Sequence, residues 1–401
     1  MKKFAVSFMM LCACVAQAQQ LSRLKAENTY NHWVGTWACA PQPVVKSYMP
    51  FNNEMTNRSV RQVVKVSVGG DVVRLHLSNV YSTEPVEIRS VYISAATDSF
   101  AIAPKTTEYL RFHGRQRVVI APGASVVSDA ERFHLRPLQL LAITINYRKA
   151  PKVPTVHMGS RTTSYILRGY SGPYTSFAKA FREEHWFNIA AIDVYNRQAE
   201  AVAIIGNSIT DGKNSTDNRQ DRWPDRLSEE LHRQGRTKGI LNLGIGNNRV
   251  LSVGLGAAAK DRFDRDILQQ HGVKTVIVFE GVNDLGVSND AKTTARRLIE
   301  EYNMMIRKAH ERHLKIYGAT IMPMRGCAYF TPEREEGRRM VNEWMRTSKA
   351  FDGVIDFDEL MRDAEDHEVL RQEWQSDWLH PNAEGYAVMG RFAAQWLINH
   401  E

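Results

Sequence analysis

Between Trp33 and Val194 apolar and polar positions alternate in short runs, the period of a strand with one buried face. Val64-Lys65-Val66-Ser67-Val68 alternates, Gly69-Gly70-Asp71 supplies a turn, and Val73-Arg74-Leu75-His76-Leu77 alternates again, which predicts a hairpin. Similar runs occupy Val86 to Ile93, Val118 to Ile120, Leu141 to Tyr147 and Trp186 to Val194. Breakers such as Ala121-Pro122-Gly123 and Ser171-Gly172-Pro173 separate them. No long amphipathic helix interrupts the series. Many short strands with one polar face bury their apolar faces sheet on sheet, so residues 31–195 read as an antiparallel β-sandwich.

After Asn196 the rhythm changes. Apolar runs at Ala201 to Ile205, Ile240 to Leu243, Thr275 to Phe279 and Ile316 to Ile321 have the continuous character of strands buried on both faces. Helical periodicity lies between them. One helix is predicted near Trp223 to Arg233, and another near Ala291 to Arg312, where Leu298, Tyr302, Met305 and Ala309 share a face. A last one runs from Ala383 to Ile398. Alternating β and α elements over residues 200–401 predict an α/β fold, a parallel sheet with helices on both faces. The site of such a sheet lies beyond the carboxyl ends of its strands.

The first residues read as an address rather than as structure. Lys2-Lys3 is a short basic region, Phe4 to Val15 an apolar one, and Ala16-Gln17-Ala18 a small-x-small cleavage site, so residues 1–18 are expected to be an export signal. Leu11-Cys12-Ala13-Cys14 loosely resembles a lipoprotein signal as well, which leaves a lipid anchor through Cys14 as the alternative to a free exported protein, periplasmic or extracellular. The apolar run is too short to span a bilayer, and no later stretch approaches that length, so no integral membrane segment is expected. The formal charge of +8 falls to +6 without Lys2 and Lys3. That excess is dispersed among acidic neighbours, as in Asp261-Arg262-Phe263-Asp264-Arg265-Asp266, which argues against nucleic acid as a partner. Cys39 and Cys327 fall in different halves and are expected to be free thiols.

Four segments carry candidate chemistry. Gly206-Asn207-Ser208-Ile209-Thr210 follows the first apolar strand, where a tight turn can expose a serine hydroxyl. Asn242-Leu243-Gly244-Ile245-Gly246-Asn247-Asn248-Arg249 follows the second, and its glycines can turn backbone N–H groups toward a developing negative charge. Gly281-Val282-Asn283-Asp284 follows the third and can aim an amide into the same space. Asp377-Trp378-Leu379-His380 precedes the last helix, and a carboxylate three residues before an imidazole can hold the ring's proton-bearing nitrogen and leave the other as a base. Taken singly each has an ordinary alternative: a helix cap, a phosphate-cradling or plain turn, an Asn-Asp turn, a surface histidine.

Together, in the order Ser, glycine-rich loop, Asn, Asp-x-x-His, they resemble the SGNH, or GDSL, hydrolases from about Ala201 to His400. The resemblance implies a flavodoxin-like sheet and ester hydrolysis through an acyl-enzyme, with no metal and no organic cofactor. It assigns Ser208 as nucleophile, His380 as base and Asp377 as the residue that orients it. Asn283, the N–H of Ser208 and the N–H of Asn247 would form the oxyanion hole. Two positions depart from the family pattern: Asn207 stands where the family has Asp, and Asn247 where it has Gly. An α/β-hydrolase elbow is disfavoured because Thr210 stands where that motif has Gly. A zinc site is disfavoured too, since Asp366-His367 and His310/His313 form no known ligand spacing.

The expected partner is an acylated small molecule or polysaccharide. An exported esterase with a β-sandwich resembles the SGNH enzymes that remove acetyl groups from carbohydrate. Trp33, Trp37 and Trp186 are candidate sugar platforms or packing residues, and Arg222, Arg249 and Arg325 are candidate anion contacts or surface charges. Esterases of lipid or aryl esters, and a non-catalytic carbohydrate-binding protein, are the alternatives.

Overall fold

The computed structural model describes residues 30–97 and 99–400, so the expected export signal at 1–18, with Cys14, lies outside the described residues. Five strands of the N-terminal half form one antiparallel sheet. Its main path runs Trp33–Ala38, Ile189–Tyr195, Gly70–Ser78, Ser125–Val127, with Glu131–Leu135 also paired to Gly70–Ser78. A seven-stranded sheet has Arg58–Lys65, Leu140–Lys149 and Val86–Ala95 at its centre. Val60, Leu75, Leu77, Ile143 and Ile145 share one apolar core.

The hairpin expected at Gly69-Gly70 does not form. Arg58–Lys65 pairs with Leu140–Lys149 and Ser164–Arg168, whereas Gly70–Ser78 pairs with Ile189–Tyr195 in the other sheet. The chain crosses between sheets at Val66 to Gly69. Val66 N–H donates to Gln139 O at 3.0 Å, the Ser67 hydroxyl donates to Thr36 O at 2.6 Å, and a Cβ on Gly69 would lie 2.3 Å from Leu135 O. Strands facing each other across a sandwich alternate just as sheet neighbours do, so periodicity does not tell the two arrangements apart.

The C-terminal half is the expected parallel sheet. Strands β1 (Glu200–Gly206), β2 (Lys238–Gly244), β3 (Val273–Phe279), β4 (Lys315–Ala319) and β5 (Gly353–Ile355) lie in the order β2-β1-β3-β4-β5, a flavodoxin-like arrangement. The helices that matter below are α1 (Ser208–Asp211), α2 (Trp223–Arg233), α3 (Val282–Gly286), α4 (Ala291–Glu311), α5 (Pro332–Thr347) and α6 (Ala383–His400). Helix α2 packs on α6 and α4 on α5. Leu298, Tyr302, Met305 and Ala309 are buried along α4 as their spacing predicts. Helix α5 and strand β5 were not anticipated: α5 is dense in Arg and Glu and shows little apolar stripe, and β5 is three residues long.

The two halves meet through backbone. Gly35 N–H donates to His271 O at 2.8 Å, the Ser67 hydroxyl accepts Ile240 N–H at 2.9 Å, and a Cβ on Gly239 would lie 2.1 Å from Gly35 O. Only glycine permits that approach of Trp33–Ala38 to β2. Trp37 and Trp186 are buried and meet edge to face at 4.9 Å, and the Arg74 guanidinium lies 4.3 Å over Trp33, so these tryptophans pack the structure rather than offer platforms. Arg222 is likewise buried: it donates to Ser160 O at 2.5 Å and lies 5.3 Å over Trp186. Arg325 is paired with Asp366 and Glu368. Cys39 and Cys327 are free thiols. Among the described residues no helix is long and apolar enough to cross a membrane.

Candidate active site

The carboxyl ends of β1, β2 and β3 present the residues singled out above. Asn207 caps α1, its side-chain oxygen accepting Ile209 N–H at 3.1 Å, and so turns Ser208 out of the strand. Ser208 then occupies the first helical position, where the backbone N–H has no partner within the helix. Its hydroxyl oxygen lies 2.8 Å from His380 Nε2. His380 Nδ1 lies 2.9 Å from Asp377 Oδ2, while Asp377 Oδ1 accepts the His380 backbone N–H at 2.8 Å. Asn214 donates to Asp377 Oδ2 at 3.1 Å. The turn between acid and base holds Trp378 in the left-handed region at φ 61°.

The electrostatics keep both groups in working form. Burial disfavours the imidazolium of His380 and outweighs the opposing pull of Asp377, so the ring titrates below its ordinary 6.5 and is neutral at pH 7. Burial works against the Asp377 charge too, but the backbone N–H and ring of His380 outweigh it and hold the carboxyl below its usual range. With Asp377 ionised, Nδ1 carries the ring proton and Nε2 faces the serine as acceptor.

Asn283 is buried at the start of α3. Its amide nitrogen donates to Asn248 O at 2.8 Å, and its oxygen accepts the Tyr329 hydroxyl at 3.0 Å. A backbone carbonyl can only accept, so this bond fixes which end of the amide is nitrogen. The nitrogen's second hydrogen remains for another acceptor. The Tyr329 ring covers Gly286, where a Cβ would meet it at 2.3 Å. Asn247 stands at φ 53°, the left-handed conformation that a glycine would adopt freely and that Asn tolerates better than most residues. The departure from the family's glycine therefore preserves the backbone turn.

Other residues of the site carried no legible signal in the sequence. Arg262, fully buried, donates to Leu243 O at 2.8 Å, Gly206 O at 3.2 Å and Asn248 Oδ1 at 2.7 Å, tying the ends of β1 and β2 to the glycine-rich loop. Asp284 accepts the N–H groups of Val250 and Leu251, both at 2.9 Å, and pins the same loop from α3. Glu280 explains the second departure. Burial pushes its carboxyl up to about 8, and the Asn207 amide donates to it at 3.4 Å. An aspartate at 207 would set a second acidic group to compete for the proton of that buried carboxyl, whereas asparagine supplies a donor.

One grouping of three metal-capable side chains occurs among the described residues: His76, Asp193 and His271. Both rings and Arg74 Nε converge on Asp193 Oδ2, at 2.7, 3.1 and 2.8 Å. A cation there would face a guanidinium, so the cluster reads as an ionic tie between the two halves. It lies apart from the residues around Ser208.

Residues 204–388 match the family model described as GDSL-like lipase/acylhydrolase. Solved structures similar to this chain include a GDSL-like lipase from Bacteroides thetaiotaomicron, at 18% identity over 50% of this chain and 89% of that one, TM-score 0.37. They include a lipase/acylhydrolase from Enterococcus faecalis, at 19% identity over 50% and 96%, TM-score 0.39. An acetyl xylan esterase, AlAXEase, matches at 20% identity over 50% and 98%, TM-score 0.37. No curated protein matches the chain. On its family match the C-terminal half of this chain is a GDSL-like lipase/acylhydrolase domain, and the protein is a carboxylic ester hydrolase.

Proposed function

We propose that the protein is an exported esterase that removes short acyl groups, acetyl first among them, from carbohydrate, using Ser208, His380 and Asp377 as its triad. The observation that carries the triad is the unbroken relay from Ser208 Oγ to His380 Nε2 at 2.8 Å and from His380 Nδ1 to Asp377 Oδ2 at 2.9 Å. Export rests on the pattern of residues 1–18. The carbohydrate assignment rests on the open polar cleft lined by Asp211 and Lys213, which starts one helical turn from Ser208. In this reading residues 31–195 are an accessory β-sandwich domain and residues 200–401 the catalytic domain.

Ser208 Oγ attacks the ester carbonyl carbon while His380 Nε2 takes the hydroxyl proton. The carbonyl oxygen becomes an oxyanion, held by the N–H groups of Ser208 and Asn247 and the free amide hydrogen of Asn283. Collapse expels the alcohol, which leaves with the proton from His380. Water then attacks the acyl-enzyme, again giving its proton to His380, and the carboxylic acid departs with Ser208 restored.

Hydrolysis of p-nitrophenyl esters of rising chain length, then of acetylated polysaccharides, tests the reading. Acetyl-selective turnover with acetate release from the polymer is the expected result. Selectivity for long chains, or none for the polymer, would move the substrate to lipid or aryl esters.

The oxyanion assignment makes its own prediction. Asn283→Ala is expected to lower kcat about 10²- to 10³-fold with little change in KM, since the donor acts on charge that develops only in the transition state. Tyr329→Phe keeps the ring on Gly286 and removes only the hydroxyl that holds the Asn283 oxygen, so a smaller loss of kcat, about fivefold to tenfold, is expected at unchanged KM. Steady-state kinetics at pH 8 check both, and an unchanged kcat in Asn283→Ala removes that residue from the role.

A further inference from the structure

A cleft of about 650 Å³ opens between the two halves, with Gly159, Arg161 and Arg182 on one wall and Asp211 and Lys213 on the other. Asp211 ends α1, the helix that Ser208 begins, and Gly212 N–H donates to Ser208 O at 2.9 Å, so the cleft starts one turn from the nucleophile. The positive charges of Lys213 and Arg161 both disfavour the imidazolium of His380.

Two polar atoms stand out there. Asp211 is 3% exposed, and its Oδ1 is held by His157 Nε2 at 2.9 Å, with His157 Nδ1 in turn 2.9 Å from Ala40 O. Its Oδ2 forms an ion pair with Arg161 Nη2 at 3.8 Å, too long for a hydrogen bond, and has no hydrogen-bond partner. Arg161 Nε is also buried without a partner. A buried carboxylate oxygen and a buried guanidinium N–H left unsatisfied side by side are costly in an isolated protein. Two backbone features maintain the arrangement. Arg161 stands in the left-handed region at φ 48°, and Gly159 lets the chain pass directly against Asp211 Oδ2, where a Cβ would sit 1.9 Å from that oxygen.

The lining selects the ligand. Arg161, Arg182 and Lys213 are balanced by Glu183, Glu184 and Asp211, so the cleft favours a neutral group over a phosphate or a carboxylate. The unsatisfied pair asks for one hydroxyl that donates to Asp211 and a neighbouring one that accepts from Arg161. An acyl chain provides neither, and adjacent hydroxyls on a sugar ring provide both. We propose that this cleft binds the alcohol half of the ester, with Asp211 Oδ2 and Arg161 Nε reading two adjacent free hydroxyls of a sugar. The proposal rests on the esterase reading above and adds to it the residues that choose the alcohol.

The test compares kcat/KM for a mono-O-acetylated methyl glycoside bearing adjacent free hydroxyls with kcat/KM for p-nitrophenyl acetate, which lacks them. In wild type, methylating those hydroxyls is expected to lower kcat/KM about tenfold or more, because the buried pair then loses its partners. Arg161→Gln, at a half-buried side chain, and Gly159→Ala, whose methyl group displaces the carboxylate, are each expected to lower the ratio of glycoside to p-nitrophenyl acetate about tenfold, the loss lying in KM. A ratio unchanged within twofold in both variants, or a wild type indifferent to methylation, overturns the subsite. Ser208→Ala separates the two ideas: if that variant still hydrolyses both substrates, the esterase mechanism has failed instead.

Discussion

Ser208→Ala is expected to abolish turnover, with kcat for p-nitrophenyl acetate falling about 10⁶-fold, as removal of the nucleophile does in serine hydrolases whose triad acts as one unit. The loss is attributable to chemistry rather than to unfolding. Among the described residues the Ser208 hydroxyl bonds only His380, and the residue sits at a half-buried helix start, so the thermal midpoint should stay within about 2 °C of wild type. Substrate should still bind, giving a variant suited to trapping intact ester in the cleft. Residual turnover within tenfold of wild type would place the nucleophile elsewhere. A wild type inactive on every ester would favour a binding protein on this fold.

The second large effect belongs to Asp377. In Asp377→Asn the backbone N–H of His380 still requires an acceptor at the Oδ1 position, where it now bonds at 2.8 Å. The amide nitrogen therefore falls at the Oδ2 position and points its hydrogens at His380 Nδ1. The ring must then accept there and carry its proton on Nε2, where it cannot take the proton of Ser208. A fully buried aspartate in this role is worth about 10⁴-fold in kcat. Asp377 is 45% exposed at its side chain, and water can reorient the pair, so a loss nearer 10³-fold is expected. The pH profile adds a second reading. In wild type the acid limb of kcat/KM reports His380 losing its proton, and it should fall below pH 6.5, with a plateau above. Because Asp377 pulls that value up, its removal should move the limb to lower pH even as the plateau drops. A limb that moves upward, or a kcat within tenfold of wild type, would remove Asp377 from the triad.

Much of this was legible before any coordinates. The parallel sheet was legible because four short continuous apolar runs alternated with helical periodicity, and three of the four candidate segments followed such a run. Ser208 and Asn283 were visible because a short turn after a strand has few ways to point a side chain, and His380 because a carboxylate, Asp377, stands three residues before it. What stayed hidden depended on distance in sequence. Tyr329 reaches Asn283 across 46 residues, and Arg262 joins three separate loop and strand ends through one side chain. Arg222 read as a candidate anion contact and is instead buried between the halves, because its partner carbonyl at Ser160 lies 62 residues away. The β-sandwich could be named but not threaded, since alternation records which way a strand faces and not which sheet it joins.

The glycine-lined seam between Trp33–Ala38 and β2 bears on how the protein can be handled and how it could have arisen. Strand β2 is the outermost of the parallel sheet, and the N-terminal strand lies along it. A catalytic half expressed by itself would present an unpaired strand flank to solvent, with Gly239 offering no side chain to ward off another chain. Such a fragment is a poor candidate for stand-alone production and would tend to self-associate. A swap of the N-terminal half for one from another protein would need a strand whose backbone follows the path of Gly35 over Gly239, which makes the two halves heritable as a pair rather than as interchangeable parts.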